Sequence, residues 1–381
     1  MLKRIYIDNF RCLVNFELKF DPITLLLGTN GSGKTSVFDI LRRLQDFIID
    51  QARVPEVFPA RDLTRWQTSG LQRFELEIVT EDDVYLYRLL IDHDVERRRS
   101  RVFEERLDLN GKTLFACREG MAQLYRDDHS EGPQYPFDWN LSGVGSLHER
   151  PDNRKLTGFK RVLARLIVVR PTLALMERES RREQERLTQN MENFVSWYRH
   201  LAQEHMGAMV TLLRELQPAI PGFESLSLKE SGEDARSLKA LFSRPGGGKP
   251  LAFDFGELSD GQKMLIVLYT LAYGLKDEGV SLFIDEPDNY LALREIQPWL
   301  SGLADAVGES LEQVVLISHH PETINYLGAA HGRWLERDGL GPVRSLTEAP
   351  RPVPGLDLAK TMALGWQEAP KPIATLEASN T

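Results

Sequence analysis

Residues 22–41, PITLLLGTNGSGKTSVFDIL, combine an apolar run, a glycine-rich turn and a segment with helical periodicity. Gly28, Gly33, Lys34 and Thr35 fill every fixed position of the pattern G-x-x-x-x-G-K-[ST]. Glycine lets the backbone approach a phosphate closely, and the N–H groups at a helix N-terminus attract an anion. In this strand–turn–helix context the pattern indicates a loop that binds nucleotide phosphates. The alternative, a chance glycine-rich turn, is disfavoured because every position matches.

The same stretch predicts chemistry and local structure together. Lys34 is expected to reach the β- and γ-phosphates, and the Thr35 hydroxyl is expected to hold Mg²⁺. The apolar run Ile23–Leu27 should be a buried strand, and the helix that follows the loop should extend to about Asp50.

Composition narrows the class of protein. The 381 residues include 56 acidic and 47 basic side chains, and the net charge of −9 argues against a general affinity for nucleic acids. Cys12 and Cys117 lack the spacing of metal ligands, which favours a reducing, intracellular environment. The opening MLKRIYIDNF contains no apolar signal core, and no apolar run approaches the ~20 residues that span a bilayer. We therefore expect a cytoplasmic protein that does not insert into a membrane.

The first part of the chain alternates apolar and polar residues in short stretches. The alternation predicts strands at 2–8 and 14–20, a hairpin at 73–80 and 84–92, and a third strand at 101–110 that turns at Asn110-Gly111 into a further strand at 113–117. Together these stretches indicate an antiparallel β layer.

The later part contains fully apolar runs. Those at 280–284 and 313–317 predict buried strands, and residues 262–276 predict an apolar helix. Residues 159–170 fit a helix, a strand, or a helix that passes into a strand. We expect an α/β fold, a P-loop NTPase with a mainly parallel sheet, an antiparallel β layer and an inserted helical lobe.

The expected domain organisation has one head and one tail. The head should cover residues 1–345, and a loosely packed, proline-rich tail should cover 346–381. Residues 46–254 are expected to be an insertion in the head, with β hairpins and a helical lobe at about 159–220. Residues 126–158, rich in Gly, Pro, Asp and His, are predicted to be surface loop.

A second motif, LFIDEP at 282–287, places two carboxylates at the end of an apolar strand. Asp285 is suited to bind Mg²⁺, and Glu286 is suited to act as general base on the attacking water. The alternative is a capped turn after a core strand, and the phosphate loop favours the functional interpretation.

A third motif, LSDGQK at 258–263, begins another helix. A hydroxyl, a flexible backbone and a helix N-terminus together could bind a second anion. Taken alone, Ser259 would be an ordinary N-cap residue. The position of this motif shortly before the acidic strand favours a functional role.

Four motifs, GTNGSGKT, LSDGQK, LFIDEP and ISHHP, follow the order found in ABC-type ATPases. The opening IYIDNFRCLVNFELKFDPITLLLGTNGSGKT resembles the SMC/RecF-like branch, and especially the stand-alone AAA-family ATPases related to the OLD proteins. The resemblance covers residues 1–45 and 255–335 and hardly covers 46–254. It implies an ATPase that uses ATP and Mg²⁺.

The resemblance also implies roles in binding one nucleotide. Asp285 would bind Mg²⁺ together with Thr35, and Lys34 would take part in catalysis. The residues implied to bind the phosphates and Mg²⁺ are Asn30, Gly31, Ser32, Gly33, Lys34 and Thr35.

The remaining motifs imply a second subunit. Ser259 and Gly261 would contact the γ-phosphate of ATP held by the other head, so the heads would form a homodimer or part of a higher oligomer. Glu286 would be the catalytic base and His319 the switch histidine, with His320 as the second choice.

The chain departs from the family pattern at several positions. A glutamine that senses Mg²⁺ is expected before an inserted strand, where Gln67 is preferred to Gln72. Ala292 stands where transporters have an aspartate, so Asp288 and Asn289 would take over the dimer contact. The chain has no long coiled coil and no acidic nuclease module after the ATPase motifs.

These observations predict an ATP-driven switch. ATP would dimerise the heads, and the dimer would control an effector on another chain or a nucleic-acid transaction, in prokaryotic anti-phage defence. The alternative is a RecF-like repair ATPase that binds duplex DNA itself. A transporter energy subunit is less favoured, because the opening resembles SMC proteins and a transporter-type helical subdomain is missing.

Two basic clusters bear on the DNA-binding alternative. They lie at 97–101 and 178–186, where acidic residues interleave with arginines, so a solvated face is the default interpretation. Contact with a nucleic-acid backbone is the functional alternative. Aromatic residues are sparse beside these clusters in the sequence, which argues against single-strand binding.

Overall fold

The computed structural model describes residues 1–97, 99–275, 279–346 and 355–363. The strands in chain order are β1 (Leu2–Asp8), β2 (Phe16–Lys19), β3 (Ile23–Leu27), β4 (Leu71–Val79), β5 (Val84–Asp94), β6 (Arg99–Leu109), β7 (Lys112–Arg118), β8 (Met121–Tyr125), β9 (Glu131–Pro136), β10 (Leu166–Val169), β11 (Glu179–Ser180), β12 (Phe223–Glu230), β13 (Arg236–Phe242), β14 (Leu251–Asp254), β15 (Val280–Asp285), β16 (Leu311–Ile317), β17 (Gly332–Arg337) and β18 (Val343–Leu346). The α-helices are α1 (Lys34–Ile48), α2 (Val54–Val57), α3 (Gly143–Ser146), α4 (Arg154–Ala164), α5 (Phe194–Glu204), α6 (Met206–Ala219), α7 (Asp260–Tyr273), α8 (Leu293–Ala306), α9 (Pro321–His331) and α10 (Leu358–Ala363).

The central sheet has six strands in the order β10-β15-β16-β3-β17-β18. All neighbours pair in parallel except β18, which is antiparallel to β17. The inner strands are apolar along their whole length because both faces of the sheet are covered. The expected α/β class with a mainly parallel sheet is confirmed.

A second, antiparallel sheet has eight strands in the order β2-β1-β4-β5-β6-β7-β8-β9. Its strands alternate buried and more exposed residues, as the sequence pattern predicts. The expected antiparallel layer is confirmed and is wider than predicted, since it also includes β8 and β9. A small third sheet joins β11, β12, β13 and β14.

Alternate residues of the central strands face two different hydrophobic cores. Phe283, Val315 and Ile317 pack with helix α1 and the antiparallel sheet. Leu282 and Leu316, on the opposite face, pack with residues of helices α5 to α9. The central sheet thus separates two hydrophobic cores, and its strand ends are packed on both faces of the sheet.

The region 126–158 is more ordered than the predicted surface loop. It contains β9, α3 and the first residues of α4. Tertiary hydrogen bonds stabilise these short elements: the Ser142 hydroxyl donates to the buried carboxylate of Glu105 (2.6 Å) and accepts from the N–H of Gly145 (2.9 Å). Such contacts between distant segments leave no periodic pattern in the sequence.

The segments 159–170 and 159–220 and the tail can also be compared with their predicted structures. The stretch 159–170 is a helix that passes into a strand, namely the end of α4 followed by β10. The segment 159–220, expected to be a helical lobe, also contains helices α5 and α6, and it contributes β10 to the central sheet. In the tail, Ala359 at the start of α10 is buried, and its N–H donates to Asn325 of α9 (2.9 Å). Residues 347–354 and 364–381 of the tail lie outside the described residues.

One buried amide joins the two sheets. Gln313 of β16 accepts a hydrogen bond from the N–H of Leu2 (3.0 Å) and donates to the carbonyls of Leu2 (2.9 Å) and Asp21 (3.1 Å). The first strand of the antiparallel sheet is thereby attached to the central sheet.

We expect Gln313→Leu to lower the free energy of unfolding by about 3 kcal/mol, because it leaves buried backbone groups of Leu2 without partners. Urea denaturation followed by circular dichroism measures the change. The control is Gln134→Leu on the exposed face of β9, where the same substitution should change stability by less than about 0.5 kcal/mol. Equal effects at both positions would contradict the bridging role of Gln313.

Candidate active site

The loop between β3 and α1 has the conformation that its glycines allow. Gly28 has φ +151°, and a Cβ there would lie 2.3 Å from the carbonyl oxygen of Leu335. Gly33 has φ +84° and immediately precedes α1, so no side chain caps the first helical turn. The N–H groups of that turn therefore remain free to bind an anion.

Lys34 is folded back onto its own loop. Its ammonium donates to the carbonyls of Gly28 (2.8 Å) and Thr29 (3.0 Å). Burial lowers the pKa of Lys34 to about 8, although the nearby carboxylates of Asp285 and Glu286 act in the opposite direction. The side chain is thus held in the loop, where a bound phosphate anion would stabilise its charged form.

Thr35 and Asp285 meet at the end of two central strands. The Thr35 hydroxyl donates to the Asp285 carboxylate (2.9 Å), and burial raises the pKa of Asp285. A hydroxyl and a carboxylate are the hard oxygen donors that Mg²⁺ prefers, with phosphate oxygens and water as its other ligands. Among the described residues there is no cluster of three or more His, Cys, Asp or Glu that could hold a metal by itself. These two side chains fit a Mg²⁺ ion that arrives with a nucleotide.

Glu286 has an unusual backbone conformation for a residue other than glycine. Its φ is +54°, and its N–H donates to the carbonyl of Ile317 on β16 (2.8 Å). The Asn289 amide donates to its carboxylate (3.1 Å). A residue other than glycine is strained in this left-handed conformation and keeps it only where the surrounding structure holds it in place. Such residues are enriched at functional sites.

Arg170 is a site residue that the sequence analysis missed. It follows β10 directly, and its guanidinium lies 3.5 Å from the Glu286 carboxylate. Val169 pairs with Ile284 in the sheet, which brings Arg170 to the same edge as Asp285. The signal was present in the sequence: an apolar run, LIVV, ends in a charged residue followed by proline, just as LFI ends in the acidic pair.

The two histidines after β16 have different surroundings. His320 caps α9, because its Nδ1 accepts from the N–H of Glu322 (3.2 Å). His319 lines the cleft, and burial together with the charge of Lys34 lowers its pKa. His319 is therefore neutral at physiological pH and can exchange a proton or hydrogen-bond a phosphate, whereas His320 is occupied in the fold.

Asp288 stabilises the loop that carries these histidines. It is buried, and its carboxylate accepts hydrogen bonds from the hydroxyls of Ser318 and Thr323 (2.6 Å for Thr323). The expected dimer contact of Asp288 is wrong, since the side chain is enclosed. Asn289 is exposed and remains available for such a contact.

The phosphate loop, the acids and His319 surround one cleft of about 610 Å³. The predicted residues that line it are Asn30, Gly31, Ser32, Gly33, Lys34, Thr35, Asp285, Glu286 and His319.

Comparison with known proteins agrees with this geometry. An AAA ATPase domain family matches residues 1–129. The chain is 37% identical over 73 residues to the OLD nuclease of Thermus scotoductus, a match that spans 17% of this chain and 13% of that nuclease. An SMC head, solved in complex with the C-terminal winged-helix domain of ScpA, aligns over 95% of this chain and 99% of its own with a TM-score of 0.55 and 13% identity. Residues 1–129 thus match an AAA ATPase domain, and the chain as a whole has a fold like that of an SMC head. At that identity the SMC likeness shows the fold alone.

The chain does not bring the expected glutamine to its cleft. Gln67 lies in a neighbouring surface groove, where its amide donates to Asp8 (3.1 Å). Gln72 is fully buried, with its amide bonded to the carbonyl of Asn9 (2.9 Å) and to His93 (2.8 Å). Both side chains are engaged elsewhere, so a Mg²⁺ contact of Gln67 has no geometric support here and one of Gln72 is excluded by its burial.

Ser259 and Gly261 lie outside the cleft of their own chain. Ser259 is exposed at the N-terminus of α7, and its hydroxyl accepts from the N–H of Gln262 (3.3 Å). A Cβ on Gly261 would lie 3.1 Å from the carbonyl oxygen of Tyr290. The helix N-terminus is thus presented to solvent beside the loop that follows the acidic motif.

The lowered pKa of Lys34 predicts that nucleotide binding takes up a proton. At pH 8 about half of the unliganded molecules carry a neutral Lys34, and bound phosphates favour the charged form. We expect uptake of about half a proton per Mg-ADP bound at pH 8, and an affinity that falls as pH rises above 8. Calorimetry in buffers of different ionisation enthalpy measures the uptake.

The matched control is Lys34→Arg, which keeps the charge but cannot lose its proton. Its complex should form without that proton uptake. If Lys34→Arg takes up as many protons as the wild type, the titrating group is a different residue.

Proposed function

We propose that this ATPase binds ATP with Mg²⁺ and hydrolyses it at the cleft between the phosphate loop and the acidic strand. The observation that supports this most directly is the contact between Thr35 and Asp285, with Lys34 and Glu286 beside it. Mg²⁺ held there would neutralise charge on the phosphates as the terminal group transfers.

The chain's own residues supply the remaining chemistry. Glu286 takes a proton from water as its oxygen attacks the γ-phosphorus, and the bond from that phosphorus to the bridging oxygen breaks, giving ADP and phosphate. Lys34 and His319 lie on the same cleft, where they can stabilise the negative charge that develops on the transferred group.

We also propose that ATP joins two heads. Ser259 and Gly261 are exposed at a helix N-terminus, away from the nucleotide cleft of their own chain. Two exposed apolar side chains, Tyr290 and Leu293, lie at the adjacent loop and the start of α8. An anion-binding helix end surrounded by exposed apolar residues is suited to contact a nucleotide held by another molecule.

The dimer is proposed to act on other molecules, either an effector protein on another chain or a nucleic acid, in prokaryotic anti-phage defence. The partial identity with the OLD nuclease supports a link to a nuclease-related system. The SMC head of similar fold was solved with a domain of ScpA bound to it, and this supports a partner protein for the present chain. No helix in the described part of this chain is long and apolar enough to cross a membrane.

The test is the oligomeric state of Glu286→Gln, a change that keeps the shape of the side chain but removes the base. We expect monomers without ligand and dimers with ATP and Mg²⁺, measured by light scattering. ATP turnover should be lost in this variant. Glu309→Gln, the same change on an exposed acid, should hydrolyse ATP as the wild type does.

A second variant separates binding from dimerisation. Glu286→Gln combined with Ser259→Arg should still bind ATP but stay monomeric, because the arginine occupies the helix end that would meet the second nucleotide. A double variant that dimerises normally would remove Ser259 from the interface. A larger assembly that persists with and without ATP would mean that ATP changes its shape rather than its stoichiometry.

A groove on the antiparallel sheet favours the second candidate function, direct binding of DNA. Arg97, Arg99 and Arg101 line it together with Trp139, which is 48% exposed. The guanidinium of Arg101 lies 5.7 Å from the centre of the Trp139 ring. The fold thus brings Trp139, which is distant in sequence, beside a basic cluster that has few aromatic neighbours in the sequence.

Acidic residues in the groove reduce its positive charge. Asp92 pairs with Arg101 (3.0 Å) and Asp94 pairs with Arg97 (3.7 Å). Exposed pairs of this kind are weak, so phosphates could compete for the same arginines. For this reason DNA binding is the second candidate and not the first.

The salt dependence of the affinity for duplex DNA tests this second candidate function. If the groove binds duplex DNA, replacing Arg97, Arg99 and Arg101 by alanine should reduce the slope of log affinity against log salt by about 3. Fluorescence anisotropy with a labelled duplex measures the slope. The control replaces Arg178, Arg181 and Arg182, which removes the same charge from the other cluster. Equal losses in the two variants would indicate a general charge effect and no site in the groove.

A further inference from the structure

The nucleotide cleft has an end that the phosphate chemistry does not explain. Asp285 is the last residue of β15 and Glu286 follows it, and His319 follows β16; both strands lie on one side of β3. On the other side of β3 lies β17, which ends at Arg337 and turns through Leu340. The cleft therefore extends across the phosphate loop, from the hydrolytic groups towards the turn after β17.

This far end exposes two large apolar side chains. Trp66 is 41% exposed and Leu340 is 83% exposed, and both line the cleft. A tryptophan and a leucine are costly to leave in water, and an exposed apolar surface inside a cleft commonly marks a ligand-binding region.

Arg337 links this apolar end to the phosphate loop. Its guanidinium donates to the carbonyls of Gly31 (3.2 Å), Leu340 (3.2 Å) and Gly341 (2.8 Å). The same group lies over the ring of Trp66, 5.6 Å from its centre. Three acceptors fix the guanidinium, and the cation–π contact in turn orients the indole ring.

We propose that Trp66 is the stacking platform for the adenine base, with Leu340 as an apolar contact at the rim. The inference rests on the proposed nucleotide site. A nucleotide whose phosphates lie on the loop extends its base away from the hydrolytic groups, and that direction leads to Trp66. Stacking on an aromatic ring suits any flat base, and the exposed part of the indole is the surface that it would cover.

Two probes distinguish base recognition from phosphate recognition. Mg-ADP contains the base, whereas inorganic pyrophosphate with Mg²⁺ does not, and neither is hydrolysed by the ATPase reaction. Isothermal titration calorimetry on the full chain gives both affinities. Trp66→Ala should weaken ADP binding about tenfold and leave pyrophosphate binding within about twofold of the wild type.

Two further variants control for indirect effects. Trp66→Phe keeps an aromatic ring and should retain ADP affinity within about threefold. Trp139→Ala removes the exposed tryptophan of the distant groove and should change neither affinity. As an independent readout, ADP but not pyrophosphate should quench tryptophan fluorescence in the wild type, and Trp66→Phe should abolish that quenching.

The outcomes separate this inference from the proposed function. An unchanged ADP affinity in Trp66→Ala, or equal losses for ADP and pyrophosphate, would overturn the stacking platform while the phosphate site stands. A wild-type chain that binds neither probe would overturn the phosphate site itself, and the platform with it.

Discussion

The register of the parallel strands is the constraint on which the site depends. Asp285 pairs with Ile317, Ile317 pairs with Leu26, and Val169 pairs with Ile284, so four strands end at nearly the same level. The residues that follow these ends are therefore neighbours although they are far apart in sequence. A shift by one residue on any strand would turn its side chains to the opposite core and separate the proposed catalytic groups.

Burial at this edge of the sheet shifts the pKa values of Lys34 and Asp285 in opposite directions. It lowers the pKa of Lys34 and raises the pKa of Asp285, so burial disfavours the charged form of each side chain. An anion beside Lys34 and a cation beside Asp285 would favour the charged form of each group. A phosphate accompanied by a divalent cation would supply the two together, which is an electrostatic argument for the proposed magnesium nucleotide.

The sequence predicted the parts of the fold whose signal is local. Strands β1 and β3 have their predicted limits, and β15 and β16 differ by a residue or two, because runs of alternating or continuous apolar residues define them directly. The misjudged region 126–158 depends instead on contacts such as that between Ser142 and Glu105, which are distant in sequence. Helix α9 and strand β18 also lacked a distinct pattern. Short elements that depend on tertiary hydrogen bonds leave too few periodic positions to be recognised.

The distinction between local sequence patterns and contacts between distant segments also applies to the candidate site. Motifs confined to one turn, such as the phosphate loop and the acidic pair, were predictable because every required residue lies within a few positions. A position before, or at the start of, an inserted strand does not by itself bring a glutamine to the cleft, since Gln67 and Gln72 both have such a position and hydrogen-bond elsewhere. The topology gives a better criterion: in a parallel sheet, reactive side chains follow the carboxyl ends of strands. Applied to LIVV, that criterion identifies Arg170, whose guanidinium lies beside the proposed catalytic carboxylate.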